Sequence, residues 1–453
     1  MVIRSQELKK LEAIYNKSGN NQVLMYGARG CQKEQLLQLF IREKKFFYFR
    51  CPNSSVEEIN RELKRQLEQE YEITLSTGDY DECFNRVKSG DSSKLVLIID
   101  EFQNIAKKDK SFYESILKLK AHRLYPGPVM IILCNSGLSW TDREMDEVLG
   151  DDITAIDYKI RLEDVNFIDV VRAFPNYSVA QCIQTYGIIG GVPEYLNRWN
   201  GKKSIKENIC NNILNPNGYL FNEAESYISS ELRELSVYET ILSSLARGNE
   251  KLNDLFIDTG YSRAKISVYM KNLAAFDVAD KIVSFETGGW SNAKKGIYRI
   301  KHNLVNFWFT FVYPNQSKLF TMTPEEFYDK YVAKNLQEYL QRYFVNVCQE
   351  YLELLSGINK LPIKIEKTGI WLGKQGTIDI VGQDNVRENV VGICNWKDSK
   401  MRFEAYEKLH ESMKQARITA KNIYMFSATE FDDKLKALAE EDDSLILIDM
   451  KEL

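Results

Sequence analysis

The chain has 453 residues, of which 44% are hydrophobic and 27% charged, and its formal net charge is −4. Such a length suggests about two to four domains, and such a balance a packed, soluble protein. It excludes a global basic field that would draw the chain to nucleic acid, and no apolar run approaches the roughly 20 residues of a membrane helix.

The opening MVIRSQELKKLEAIYN lacks a signal-peptide core and reads as an amphipathic helix, so a cytoplasmic location is expected, with no membrane partner. Gln22–Tyr26 is a short apolar run, Glu34–Arg42 a helical stretch, and Lys45–Phe49 an aromatic, strand-like run. Val56–Gln69 is polar and helical. Leu95–Ile99 and Val129–Leu133 are continuous aliphatic runs, as expected of strands buried on both faces. Strands alternating with helices argue a parallel sheet covered by helices. From about Lys203 to Tyr227 the pattern is helical. Helices Val237–Ala246, Leu252–Thr259 and Ser262–Phe276 follow, then β-like runs Val278–Phe285 and Gly296–Ile300 joined through Gly288 and Gly289. That order is the order of a winged helix. The last region is α/β: helix Tyr331–Leu355, strands Gly376–Val381 and Val390–Trp396, helix Phe403–Arg417, and strands Asn422–Phe426 and Leu445–Asp449.

The eight cysteines contain no C-x-x-C pair, which removes zinc-ribbon and thioredoxin-like readings and leaves buried, reduced thiols as the expectation. The three histidines share no ligand spacing.

Phosphate-binding chemistry points to the segment Gly27-Ala28-Arg29-Gly30-Cys31-Gln32-Lys33-Glu34, which follows the first strand. The pattern G-x-x-x-x-G-K-[ST] uses glycine for close approach to phosphate, lysine to bridge the terminal phosphates and a hydroxyl for Mg²⁺. Gly27 and Lys33 are kept, whereas Gln32 and Glu34 replace the second glycine and the hydroxyl. About seventy residues on, LVLIIDEFQ runs an aliphatic strand into Asp100 and Glu101. In a Walker-B element the first acid holds Mg²⁺ and the second polarises the attacking water; a strand ending in solvated acids is the blander alternative. Asn135, after the third aliphatic strand, would sense a γ-phosphate, and an ordinary loop polar residue reads equally well.

In the helix–turn–helix, Ser262 can cap the second helix, while Ile266, Met270 and Leu273 share a face that should be buried. Arg263, Lys265 and Lys271 then face outward and, with Lys294 and Lys295 on the hairpin, make a patch that would contact the phosphates of duplex DNA. A packing module between domains is the alternative.

The stretches LMYGARG…K, LVLIIDEFQNI, IILCNSG and GIIGGVPEYL resemble the archaeal-type ATPase family, a STAND/AAA+ branch of P-loop proteins, and the similarity runs over nearly the whole chain. The resemblance implies an α/β multidomain fold: a P-loop AAA+-like domain over 1–200, a helical lid or linker over 201–230, a winged helix over 231–315, and a C-terminal restriction-endonuclease-like domain over 324–453. It implies ATP and Mg²⁺ as cofactors, with Gly27, Arg29, Gly30, Lys33 and Asn135 at the nucleotide, Asp100 on the metal and Glu101 as the catalytic base. Family members usually carry an arginine after a glycine beyond the third strand, where this chain has Gly150-Asp151-Asp152. With Gln32 and Glu34, that departure implies slow or absent hydrolysis, coupled to DNA, a protein partner or self-association. The alternative is a scaffold or DNA-binding protein with no nucleotide activity. The C-terminal strands also resemble a PD-(D/E)XK nuclease core, in which Asp379 fits the first acid. Ile393 and Asn395 fill the E-x-K places and Val345 the upstream helix-acid place, while Lys397 and Asp398 lie out of register, so an inactive nuclease remnant is expected.

Overall fold

The computed structural model describes residues 4–87, 92–122, 127–229, 232–285 and 296–453. The chain forms two compact units, Met1–Asp164 and Val165–Leu453, so residues 165–200 lie with the second.

In the first unit, strands β1 (Asn21–Gly27), β2 (Phe46–Arg50), β3 (Leu95–Asp100), β4 (Val129–Asn135) and β5 (Tyr158–Leu162) form one parallel sheet in the order β2-β3-β4-β1-β5. Every residue of β3 and β4 is buried, which explains why their sequences are aliphatic throughout rather than alternating. Helix Val56–Tyr71 covers one face, with Ile59, Leu63 and Leu67 buried at four-residue spacing. Its N-cap Ser55 accepts the Glu58 amide, filling one donor that a helix start leaves unpaired. Helix Lys33–Ile41 covers the other face through Leu36, Leu37 and Phe40.

The second unit opens with helices Phe167–Ala173 and Val179–Ile189. Here the GIIGG stretch acquires a physical account. Gly190 ends the second of these helices with φ +67°, a region glycine enters without strain. A Cβ on Gly191 would lie 1.9 Å from the Val165 carbonyl oxygen, and the Val165 amide donates to the Gly191 carbonyl at 2.9 Å. Gly187 faces Leu340 and Tyr343, so helix Leu336–Gly357 packs closely there.

Helices Leu235–Ala246, Leu252–Thr259 and Arg263–Ala275 precede an antiparallel hairpin, β6 (Ala279–Val283) with β7 (Gly296–Ile300). Ser262 caps the third helix by accepting the Lys265 amide, and Ile266, Met270 and Leu273 are buried. The helical stretch expected over 203–227 is broken: helix Ile205–Ile209 gives way to a π-helical turn, Cys210–Leu214, and helix Glu223–Ser229 follows.

The C-terminal sheet contains β8 (Lys367–Leu372), β9 (Thr377–Gln383), β10 (Asn389–Asn395), β12 (Asn422–Ser427) and β14 (Leu445–Asp449), in the order β14-β12-β10-β9-β8. Strands β10, β12 and β14 run parallel, and β8 and β9 add antiparallel. A separate small pair joins β11 (Lys400–Met401) to β13 (Glu430–Phe431). All eight cysteines are buried and free. Among the described residues no helix is long and apolar enough to cross a membrane.

His302 gives this unit a pH dependence. Its Nδ1 accepts the Val305 amide at 3.3 Å, its ring lies 4.3 Å from that of Tyr227, and its Nε2 has no hydrogen-bond partner among the described residues. Burial pushes its pKa down to about 4; nearby Asp277 opposes the shift and Lys301 adds to it. The unfolded chain therefore takes up the proton first, near the ordinary value of ~6.5. Stability falls as pH drops below ~6.5, by ~3 kcal/mol in all, and the loss is complete near the folded value. Denaturation midpoints measured across that window should show the step in the native chain. His302→Asn keeps a capping oxygen and should lack that step; an unchanged pH profile in the variant would refute the assignment.

Candidate nucleotide site

Strand β1 delivers the chain to Gly27, where a Cβ would stand 2.7 Å from the Leu162 carbonyl oxygen and 2.9 Å from Cys31 Sγ. Only glycine fits between β5 and the returning loop. The Cys31 amide closes that loop on the Ala28 carbonyl at 3.2 Å. Gly30 and Gln32 both adopt left-handed conformations, with φ of 81° and 61°. The sixth place of the phosphate-loop pattern thus retains the backbone geometry that favours glycine, although glutamine occupies it, at a cost of roughly 1 kcal/mol. Helix Lys33–Ile41 starts immediately afterwards and directs its first amides toward the loop.

Arg4 braces this turn from a distance in sequence. Its Nε donates to the Cys31 carbonyl at 2.6 Å and its Nη2 to the Glu163 carbonyl at 2.7 Å, while Glu7 holds Nη1 at 3.1 Å. Nothing in the local pattern around Arg4 marks it for this task.

Lys33 is 7% exposed and ends among acids. Its Nζ lies 2.8 Å from Asp100 Oδ1, 3.2 Å from Glu101 Oε1 and 3.1 Å from Ser136 Oγ. Burial opposes the ammonium charge, but the groups around it, Cys134, Asp100 and Glu101 among them, outweigh it, and Lys33 is held above its ordinary range. Cys134, at the end of β4, stays a neutral thiol because burial pushes its pKa up. Glu101 has φ 53°; burial raises its pKa, and Lys33 together with bonds from Ser136 (2.5 Å) and Gln103 (2.5 Å) brings it below the ordinary value. The loop lysine and Glu101 therefore meet as opposite charges.

The other predicted residues are placed differently. Arg29 is exposed on the loop. Asn135 is fully buried and donates to Thr141 Oγ1 at 3.2 Å, so Ser136, one residue further, makes the polar contacts at Lys33 and Glu101. Two residues from β2 also enter, which the sequence did not mark. Tyr48 OH donates to Asp100 Oδ2 at 2.8 Å, and burial with the Asp100 charge raises the phenol pKa. Arg50 is the register partner of Asp100 and reaches it at 3.9 Å and Glu34 at 3.5 Å.

The fit of each cofactor follows from these contacts. Phosphate fits the loop: Lys33 supplies a buried cation at the start of a helix, whose first amides have no partner within the helix. Mg²⁺ does not fit the donor set. Glu34 stands where the ligand hydroxyl belongs and turns outward to Arg50, and both oxygens of Asp100 already face donors.

In the second unit, Arg263 bonds Asn253 and lies over Phe256, and Lys265 lies over Tyr261, while Lys271 is exposed on the same helix. The positions of Lys294 and Lys295, with Gly288 and Gly289, fall outside the described residues. Asp379 Oδ2 accepts the Cys394 amide at 3.0 Å, and burial raises its pKa to about 6, with that bond and Arg299 opposing. It faces a cavity of about 1110 Å³ that Val345 also lines. Asn395, at the lysine place of the nuclease pattern, bonds the Asp398 carbonyl, Ser427 and Thr429, and Lys397 pairs with Glu338 at 2.7 Å. Among the described residues, no three His, Cys, Asp or Glu side chains are grouped to hold a metal.

A parallel sheet whose first strand feeds a glycine loop and a buried lysine, with an acid pair closing β3 beside it, defines a P-loop ATPase fold. Residues 1–198 match the family model described as an ATPase domain predominantly from Archaea, and residues 308–409 match one described as archaeal and bacterial proteins of unknown function. Residues 1–198 are therefore similar to the archaeal-type ATPase domain. The chain is 24% identical over 415 residues to an uncharacterized protein of Methanocaldococcus jannaschii, covering 88% of each chain. Among solved structures it is similar to a Walker-type ATPase of Pyrococcus abyssi: 15% identical, 68% of this chain and 96% of that one, TM-score 0.47. It is also similar to the Aeropyrum pernix ORC2 protein in ADPNP–ADP complexes: 12% identical, 70% and 95% covered, TM-score 0.45.

Proposed function

We propose that the first unit binds a nucleotide at the Lys33 loop and hydrolyses it slowly or not at all, so that occupancy rather than turnover carries the signal to a partner. One observation carries the reading: the Lys33 ammonium is buried between Asp100 and Glu101 at the end of a glycine loop. A buried lysine with two counter-charges is a preformed phosphate ligand that needs only to exchange carboxylates for phosphate oxygens. Glu101 remains the group able to orient water, and no arginine follows Gly150 to neutralise charge in a transition state. A melting curve tests the binding, because a ligand that binds only the folded state raises the midpoint by mass action. An upward shift with ATP or ADP is expected, and absence of any shift at millimolar nucleotide would count against the reading.

The second reading couples this site to duplex DNA. It is favoured by helix Arg263–Ala275, where Arg263 and Lys271 are exposed and Lys265 is half-buried over Tyr261. Retention on duplex DNA should then fall with salt. Arg263→Ala with Lys265→Ala should make the log–log salt slope shallower by about 2, one phosphate for each lost cation. Salt-insensitive retention, or a slope the double variant leaves alone, would remove the DNA reading.

A further inference from the structure

The donors around Asp100 carry the nucleotide site one step further. A divalent ion in such a site bridges phosphate oxygens to a helix hydroxyl and to the acid at the strand end. Here the hydroxyl place belongs to Glu34, whose side chain is 60% exposed and turned toward Arg50 at 3.5 Å. Asp100 is 1% exposed, with Lys33 at 2.8 Å on one oxygen and Tyr48 OH at 2.8 Å on the other. Arg50 Nε stands 3.9 Å from that second oxygen. A divalent ion entering here would displace a hydrogen bond or an ion pair from Asp100 and would sit beside two cations.

We infer that this site takes a nucleoside diphosphate without a divalent ion, with Lys33 and Arg50 supplying the positive charge that the metal would bring. Arg50 is suited to the task. Its side chain is 59% exposed, so it can leave Glu34 for a phosphate, and its strand register with Asp100 keeps it at the mouth of the site. A guanidinium binds phosphate oxygens in a fork and needs no hydration shell stripped from a small ion. The same geometry disfavours a third phosphate. Without a bridging metal, a γ-phosphate would meet Asp100 and Glu101 directly, and like charges at that range repel.

The inference rests on the proposed nucleotide reading, and one set of titrations separates the two. The full chain is titrated calorimetrically with ADP and with ATP, each in EDTA and in Mg²⁺. ADP should bind in EDTA within about threefold of its affinity in Mg²⁺, and in EDTA it should bind about tenfold or more tighter than ATP. Arg50→Ala should weaken ADP in EDTA about tenfold, and Arg50→Lys by less. Glu34→Thr, which restores the hydroxyl at an exposed position, should make binding respond to Mg²⁺. A melt of each variant shows that the fold is kept. ADP binding only in Mg²⁺ would overturn the inference and leave the nucleotide reading standing. An Arg50→Ala affinity equal to the native one would overturn the role of Arg50. No binding of either nucleotide in either buffer would overturn both.

Discussion

Lys33→Ala is expected to lower nucleotide affinity about thirtyfold to a hundredfold or more, and to weaken the first unit as well. The two effects have different origins. Affinity falls because the ammonium is the buried cation at the phosphate loop, and a charge-assisted contact in a dry site is worth about 2–3 kcal/mol or more. Stability falls because Asp100 and Glu101 lose a counter-charge at 2.8 and 3.2 Å while remaining buried. Removing one partner of a buried ion pair costs about 3 kcal/mol. A second substitution separates the effects. Lys33→Ala with Glu101→Gln leaves one acid fewer to compensate, so it should regain part of the stability and none of the affinity. Fluorescence titration reads the first quantity and urea denaturation the second. A variant that melted early yet bound nucleotide like the native chain would show that the lysine is a structural ion-pair partner and that the phosphate site lies elsewhere.

Gly191→Ala is expected to destabilise the second unit by about 3 kcal/mol or more, without altering the nucleotide site in the first. The added methyl would stand 1.9 Å from the Val165 carbonyl oxygen and within 3.0 Å of the Val165 amide nitrogen. Both are backbone atoms, so no rotamer change relieves the overlap, and the Val165 amide–Gly191 carbonyl bond at 2.9 Å must stretch or break. Gly187→Ala is the internal comparison. Its methyl meets the end of the Leu340 side chain at 2.6 Å and Tyr343 at 3.2 Å, groups that can give way, so a loss of about 1–2 kcal/mol is expected. Chemical denaturation of the two variants side by side checks the ranking. Equal losses would mean that the approach of Gly191 to residue 165 is looser than the geometry describes.

The same two sites show what could be read in advance. Gly27, Lys33, Asp100 and Glu101 are legible as candidates because phosphate chemistry asks for those residue types next to strand ends, and the fold brings Lys33 to both acids. The GIIGG stretch was visible only as part of a family resemblance. Its meaning lies in Val165 and in Leu340 and Tyr343, and residues so distant in sequence leave no local trace. Arg4, Tyr48, Arg50 and Ser136 were missed for a similar reason. Each contributes through side-chain reach or strand register, which depend on which strand lies beside which. The two edge strands β5 and β8 also went unread. The first, YKIRL, has charged residues at alternate positions, and the second, KTGIWL, carries a glycine and is mostly half-buried.

Local sequence determined the elements that interact mainly with themselves or with a uniform apolar interior. The aliphatic runs of β3 and β4 had to be central strands, since no other place hides both faces. Ser262 had to begin a helix with Ile266, Met270 and Leu273 inward, since the period of the helix decides that alone. Tertiary structure decided what those elements do together. Whether Asp100 has a tyrosine and an arginine beside it depends on β2 lying in register against β3, and its contact with Lys33 depends on where the sheet order sets β1 and the helix that follows it. The physical reason is range: periodicity and capping act over a few residues, whereas the charge environment of a buried carboxylate is set by whatever the sheet order brings within about 4 Å of it.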